Sequence, residues 1–391
     1  MPGRDSAGRT SRPAGLAYPV LLGAFGSFGY FSGTFAVLLA DLSRALDLSP
    51  GPLGLALFVG AAASILAMAS LGWSADRLGR RVFLAICGCA TGMGIWALAA
   101  TGGYAALLAA LVVLFAATGL YDVGINAAAV DLEKAAGRRF MAVLHAAFSG
   151  GAMVGALCAG ALLTAGVGYR FVYLVTLLPL AAVVLAVAAV PFPPMEGRSE
   201  SVDRAGVLGL WRSPALLMIA AIATLGLLSE GEMEHWSGVY LRQSLGVSAL
   251  LGGSGVAVFY GAMTAGRLGA AWVVWRFGNR QTLLGAGLLA AGGMALALAT
   301  REPFLVIAGF LVVGLALSAV VPIAFSVAGD LAPGRAGAAI SVVTTLGYGG
   351  FLMGPVLVGG LAELFGLRLA LGAIAVAGAL IFILALRLKR A

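Results

Sequence analysis

Apolar residues run along this chain in blocks, and the polar residues fall between the blocks rather than alternating with the apolar ones inside them. Each block is about 20 residues or longer, enough as an α-helix to cross a hydrocarbon core of roughly 30 Å. Twelve such spans are predicted, near residues 15–40, 52–75, 82–101, 104–130, 140–164, 169–191, 214–241, 250–275, 281–300, 303–329, 336–362 and 368–387. The expected fold class is all-α integral membrane: twelve transmembrane helices built as two pseudo-symmetric six-helix bundles. Composition agrees, with 61% hydrophobic and 10% charged residues, where a soluble domain carries roughly 25% charge.

The few charges set the topology. Of the 24 Lys and Arg residues, eighteen fall in alternate loops and tails on the side of the amino terminus, five on the other side, and Arg267 within a span. Positive charge concentrates on the cytoplasmic side of membrane helices. Both termini are therefore expected in the cytoplasm of a multi-pass protein of the plasma (inner) membrane. Residues 1–14 form a basic polar tail, and the apolar run behind them exceeds the roughly 7–15 residues of a secretory signal. The net charge of +8 is thus topogenic, and no nucleic-acid partner is expected.

The Pro/Glu/Arg/Ser-rich stretch 191–213 is the longest loop and lies at the midpoint. It separates residues 15–190, an N-terminal six-helix bundle, from 214–388, a C-terminal one. A step of 199 residues carries Gly79 and Arg81 onto Gly278 and Arg280, Leu46–Ser49 onto Leu245–Ser248, Asp131-Leu132 onto Asp330-Leu331, and Gly150-Gly151 onto Gly349-Gly350. Four matches at one offset mark a duplicated unit, a recurring transporter design with its substrate site near the bilayer midplane.

The segment "GWSADRLGRR" between the second and third spans resembles the signature loop of the major facilitator superfamily, with Gly72, Asp76, Arg77, Gly79, Arg80 and Arg81 matching position by position. The resemblance extends to helix number, duplication and central loop, and it implies the major facilitator fold. It further implies that this loop latches the inner gate, the acid at Asp76 meeting the start of the eleventh helix near Arg335. An anion near a helix N-terminus gains about 0.3–1 kcal/mol. A purely topogenic arginine cluster is the alternative. In the second half Trp275 stands where Asp76 would be. The stretches "DVGINAAAVDLEKAAGRRFMAVLHAAFSGG" and "EGEMEHWSGVYLRQSLG" resemble the bacterial branch related to the fucose permease group, which implies proton-coupled transport of sugars or similar solutes.

Ionisable residues inside apolar spans cost roughly 2.5–3.5 kcal/mol each on insertion scales, so they carry the functional reading. Asp122 precedes Asp131 by nine residues, about 13 Å along the fourth helix, and Asn126 follows on the same face. Together they are candidates for a proton and a polar substrate group, or a static contact to a neighbouring helix. In the seventh span Glu230 and Glu234 share a face as like charges, with Gly231 allowing a local break. Glu230 is the proton or substrate candidate, while Glu232, Glu234 and His235 are expected at the outer rim. Trp236 and Tyr240 suit an interfacial belt or the mouth of a sugar site. Arg267 requires an acid, for which Asp122 and Asp330 are candidates, and His145 could join that network. Glycine pairs at Gly29/Gly33, Gly88/Gly92, Gly151/Gly155 and Gly350/Gly354 allow close helix packing, and Pro355 is expected to kink the eleventh span.

Cys87, Cys89 and Cys158 lie inside spans, two histidines make no ligand pattern, and no nucleotide-binding loop is present. No metal, cofactor or enzymatic activity is expected. The reading is a monomeric secondary transporter working by alternating access in the lipid bilayer. A proton-coupled symporter of a sugar or polyol is slightly favoured, and proton-driven efflux of drugs or other amphiphiles is the alternative.

Overall fold

Among the described residues every regular element is helical. The computed structural model describes residues 7–193, 209–332 and 335–388, with side chains from residue 16 onward. Residues 1–6 and 194–208 lie outside the described residues, so most of the expected central loop and the start of the tail do too.

The chain divides into two compact units, Met1–Leu46 with Ala56–Gly197, and Asp47–Leu55 with Arg198–Ala391. The first contains α1 (Ala7–Ala45), α2 (Pro50–Leu71, whose first turns count with the second unit), α3 (Ser74–Leu78), α4 (Arg80–Ala99), α5 (Tyr104–Ala136), α6 (Met141–Thr164), α7 (Tyr169–Val175) and α8 (Leu177–Ala189). The second contains α9 (Pro214–Val239) with a π-helical turn at Tyr240–Ser244, then α10 (Ala249–Ala299), α11 (Pro303–Leu317), α12 (Val320–Leu331), α13 (Ala336–Phe365), α14 (Leu367–Ala370) and α15 (Gly372–Leu386). Helix α1 starts at Ala7 rather than near residue 15, because arginine and alanine extend a helix readily once the apolar run has nucleated it.

Among the described residues eleven apolar helical segments are long enough to span a bilayer, and one of them, α10, is 51 residues long. At 1.5 Å per residue it measures about 76 Å, more than twice a hydrocarbon core, so it supplies two spans. They join at Gly278, whose φ of 78° and ψ of 163° leave the helical region. Gly79, between α3 and α4, has nearly the same backbone at φ 79° and ψ 150°. Only glycine occupies that region without strain. The 199-residue step therefore repeats a backbone conformation as well as a sequence.

The sixth and tenth predicted spans are broken, contrary to their uninterrupted hydrophobicity. Helix α7 ends at Val175 and α11 at Leu317. Pro179 and Pro322 follow, and each removes the N–H that would bond the carbonyl four residues earlier, at Val175 and Ser318. The hydroxyls at the breaks turn back, Thr176 donating to Tyr173 O (2.6 Å) and Ser318 to Leu315 O (2.7 Å). Gly231 does not break the seventh span as expected. Helix α9 runs through it, and the irregularity lies at the π turn.

Lipid gives no hydrophobic drive between helices, so tight backbone approach holds the helices within each unit together. A methyl group added at Gly29 would lie 1.8 Å from Phe148 O, at Gly33 1.9 Å from Ala152 O, at Gly151 2.1 Å from Gly26 O, and at Gly155 2.0 Å from Tyr30 O. These are α1 against α6. The α9–α13 contact repeats the device, with Gly350 2.3 Å from Thr224 O by the same measure. Gly88 packs instead on a side chain, Val184. Arginines then cap helix ends: Arg170 Nη2 donates to Thr101 O (2.9 Å) and Arg368 Nε to Leu298 O (2.9 Å).

Candidate transport site and inner-gate latch

In the first unit, α5 places Asp122 and Asn126 one turn apart, both half-buried. The Asn126 amide donates to Asp122 Oδ1 and to the Asp122 carbonyl, each at 2.9 Å. That double bond fixes the carboxylate rotamer, because an i, i+4 pair on a helix faces one direction. Aromatic rings line the neighbourhood: Phe28 sits edge-on to Tyr121 at 5.9 Å and to Phe148 at 5.3 Å. His145, half-buried, packs edge-on against Phe25 at 5.4 Å.

In the second unit Arg267 finds its acid, and it is neither of the residues expected. Its Nη2 lies 2.9 Å from Glu230 Oε1, with the side chains 22% and 15% exposed. Asp330 is exposed at the end of α12. The pairing follows from reach: α9 and α10 pack together, and Glu230 sits deep enough on α9 to meet a guanidinium in mid-helix. It also relieves the repulsion between Glu230 and Glu234, since one of the two like charges is now matched. Glu234 remains half-buried.

The outer-rim reading of Glu232 and His235 is corrected. Both are buried, Glu232 completely, because α9 turns them toward the interior of the unit. His235 Nδ1 is 2.7 Å from Gly231 O and its ring is edge-on to Phe351. Trp236 and Tyr240 are likewise 0% exposed. An interfacial belt needs rings that face lipid headgroups, so these two do not form one.

At the loop between α2 and α4, Arg80 joins two acids. Its Nη1 is 2.8 Å from Asp76 Oδ1 and its Nε 2.7 Å from Asp131 Oδ2. Arg80 and Asp131 are 9% and 8% exposed, whereas Asp76 is 73% exposed. Arg77 lies over the Trp73 ring at 5.9 Å. In the sequence Asp131 stands out only as a match of the repeat and as the helix end from which the depth of Asp122 is measured. Its recurrence as Asp330, at the end of an apolar span, was the available signal of a role. Nearby, Glu133 accepts hydrogen bonds from the Phe140 and Met141 amides, which anchors the start of α6 at a point where its N–H groups have no intrahelical partner. Among the described residues no group of three His, Cys, Asp or Glu side chains could hold a metal.

Two helical units with carboxyl groups set inside apolar spans define a multi-pass membrane protein built for solute passage. Comparison gives the family. The model of the Major Facilitator Superfamily matches residues 20–296 and 236–391, and the chain belongs to that superfamily. It is a transporter and not an enzyme. It is 33% identical to an uncharacterized MFS-type transporter of Yersinia pestis over 90% of each chain. It is 29% identical to the membrane protein MosC of Rhizobium meliloti over 88% of this chain and 83% of that one. Among solved structures, the nucleoside transporter NupG superposes with a TM-score of 0.78 at 15% identity, covering 96% of this chain and 100% of that one. A D-xylose-proton symporter superposes with a TM-score of 0.73 at 14% identity, covering 95% and 97%. These two share the fold.

Proposed function

We propose that the protein is a proton-coupled secondary transporter of a small polar solute, a sugar or polyol, working by alternating access. The observation that carries this reading is the Asp122–Asn126 pair, a carboxylate and an amide locked together on one face of an apolar helix and only half-buried. A carboxyl group there can exchange a proton, and the amide and free lone pairs can bond a hydroxylated solute. The Glu230–Arg267 pair gives the second unit a comparable polar point, one that can be made and broken as the helices move. The same fold serves polar solutes in NupG and in the D-xylose-proton symporter, and the resemblance to the fucose permease group supports the same choice. Asp76, Arg77, Arg80 and Arg81, with the glycine turns at Gly72 and Gly79, act as the inner-gate latch. The protein works as a monomer in the plasma membrane with both termini in the cytoplasm. One observation favours the other reading, efflux of amphiphiles: α11 carries no polar side chain at all.

The test is proton movement in proteoliposomes with an internal pH dye, screened against pools of sugars, polyols, amino acids and amphiphilic drugs. A sugar or polyol that acidifies the lumen when added outside, in wild type but not in Asp122→Asn, supports symport. Proton movement driven only by amphiphiles, or unchanged in Asp122→Asn, refutes it.

A further inference from the structure

We propose that Glu232 is a proton-carrying site in the second unit, protonated in this conformation and opened to water when the contact between α9 and α13 loosens around Pro355. The inference rests on the proton-coupled reading above and locates a proton that reading leaves unassigned.

Glu232 is 0% exposed, and neither of its carboxyl oxygens has a hydrogen-bond partner among the described residues. Of its ionisable neighbours on α9, Glu230 is met by Arg267 at 2.9 Å and His235 by the Gly231 carbonyl at 2.7 Å, while Glu234 is half-buried. A bare carboxylate is far more costly than a neutral acid in apolar surroundings. The elements packed on α9 offer little to offset the charge. Helices α11 and α15 hold no ionisable residue. Helix α12 has Asp330, and α13 has Tyr348 and Glu363. The π turn has Tyr240 and Arg242, and α10 has Tyr260, Arg276 and Arg280 besides the engaged Arg267.

The seam beside Glu232 is built to move. A methyl group at Gly354 would sit 3.4 Å from Glu232 Cγ, and one at Gly231 would sit 3.3 Å from Phe351 O. Pro355 has no N–H, so the Phe351 carbonyl lacks its intrahelical donor. A carbonyl freed by proline thus faces Gly231, the residue next to the acid. In the exchange step the carboxylate takes a proton from hydronium, leaving water, and later returns it to water. Glycine on both sides, at Gly231 and Gly354, keeps the two helices close enough for the closed state to exclude that water.

The test is infrared spectroscopy of the purified full-length protein at neutral pH. Wild type and Glu230→Gln should both show the carbonyl band of a protonated carboxylic acid, shifted on transfer to deuterium oxide, and Glu232→Gln should lose it. A band unchanged in Glu232→Gln overturns the proposal. Should Glu232→Gln not fold, Glu232→Asp should displace the band, and an undisplaced band overturns the proposal equally. Absence of solute-driven proton movement in the wild type, with the Glu232-dependent band intact, would refute proton-coupled transport while upholding the protonated Glu232.

Discussion

Removing Asp131 and removing Asp76 should have unequal consequences for stability, although both acids hold the same arginine. At 2.7 Å and with both side chains under a tenth exposed, the Arg80–Asp131 attraction is gross about 6 kcal/mol at an effective dielectric near 20. Desolvation of both charges cancels much of this. Taking away one partner, however, leaves a buried guanidinium uncompensated, which costs about 3–5 kcal/mol. Arg80 keeps Asp76 at 2.8 Å, so the low end, about 3 kcal/mol, applies to Asp131→Asn. The Asp76 contact is at nearly equal length, but its carboxylate is 73% exposed. Water reduces such a pair to about 0–1 kcal/mol, and Asp76→Asn should cost less than 1.

At about 2 °C per kcal/mol for a chain of this size, thermal unfolding of the purified protein should fall by about 6 °C for Asp131→Asn and by less than about 2 °C for Asp76→Asn. The double replacement Arg80→Met with Asp131→Leu should recover most of the loss, because it removes both charges together. Equal effects of the two single replacements, or no recovery in the double, would refute the assignment of Asp131 as the structural member of the triad and Asp76 as the accessible one.

Two further results are expected. Gly33→Ala forces a methyl group to within 1.9 Å of Ala152 O on α6, and such overpacking costs about 1–3 kcal/mol; Gly102→Ala, with nothing within 4 Å, is the control and should be within about 0.5 kcal/mol of wild type by the same melting assay. Gly79→Ala and Gly278→Ala should each lose about 1–3 kcal/mol from backbone strain alone, and Gly79→Asn should do no better, since ψ of 150° lies outside the left-handed helical region that asparagine tolerates.

The number of spans and the duplication were legible because lipid imposes them. An uninterrupted apolar stretch of sufficient length has few folds open to it in a membrane other than a helix, and a repeated Gly-x-Arg at one offset survives any uncertainty in helix ends. The breaks at Thr176 and Ser318 were written in Pro179 and Pro322, four residues on from the carbonyls they orphan, but unbroken hydrophobicity masked them. Side-chain direction was much harder to read. In α9 the lipid-facing and protein-facing sides are both apolar, so no periodicity tells whether Glu230, Glu232 or Glu234 points inward. Burial of Glu232 and pairing of Glu230 with Arg267 are decided by neighbouring helices, which spacing along one helix does not encode. Asp122 and Asn126 were legible together because their contact lies within one helix and follows from an i, i+4 spacing.

The duplication separates the shape of the elbow at Gly79 and Gly278 from its electrostatics. The 199-residue step carries Trp73, Arg77, Gly79 and Arg81 onto Trp272, Arg276, Gly278 and Arg280, and it carries the triad Asp76, Arg80 and Asp131 onto Trp275, Asn279 and Asp330. The backbone is retained, with φ of 79° at Gly79 and 78° at Gly278. Both elbows must turn a chain sharply between two membrane helices, and the glycine conformation does that in either copy. The charges differ in kind. Asp131 is buried against Arg80, while Asp330, whose counterpart position is Asn279, is exposed. A charged carboxylate leaves water at low cost only where a cation meets it, so the absence of an arginine at the matching position in the second copy agrees with the exposure of its acid. The turn is thus a requirement of topology in both units, whereas the ion triad belongs to one unit alone, which is where an inner-gate latch built on Asp76 has to be sought.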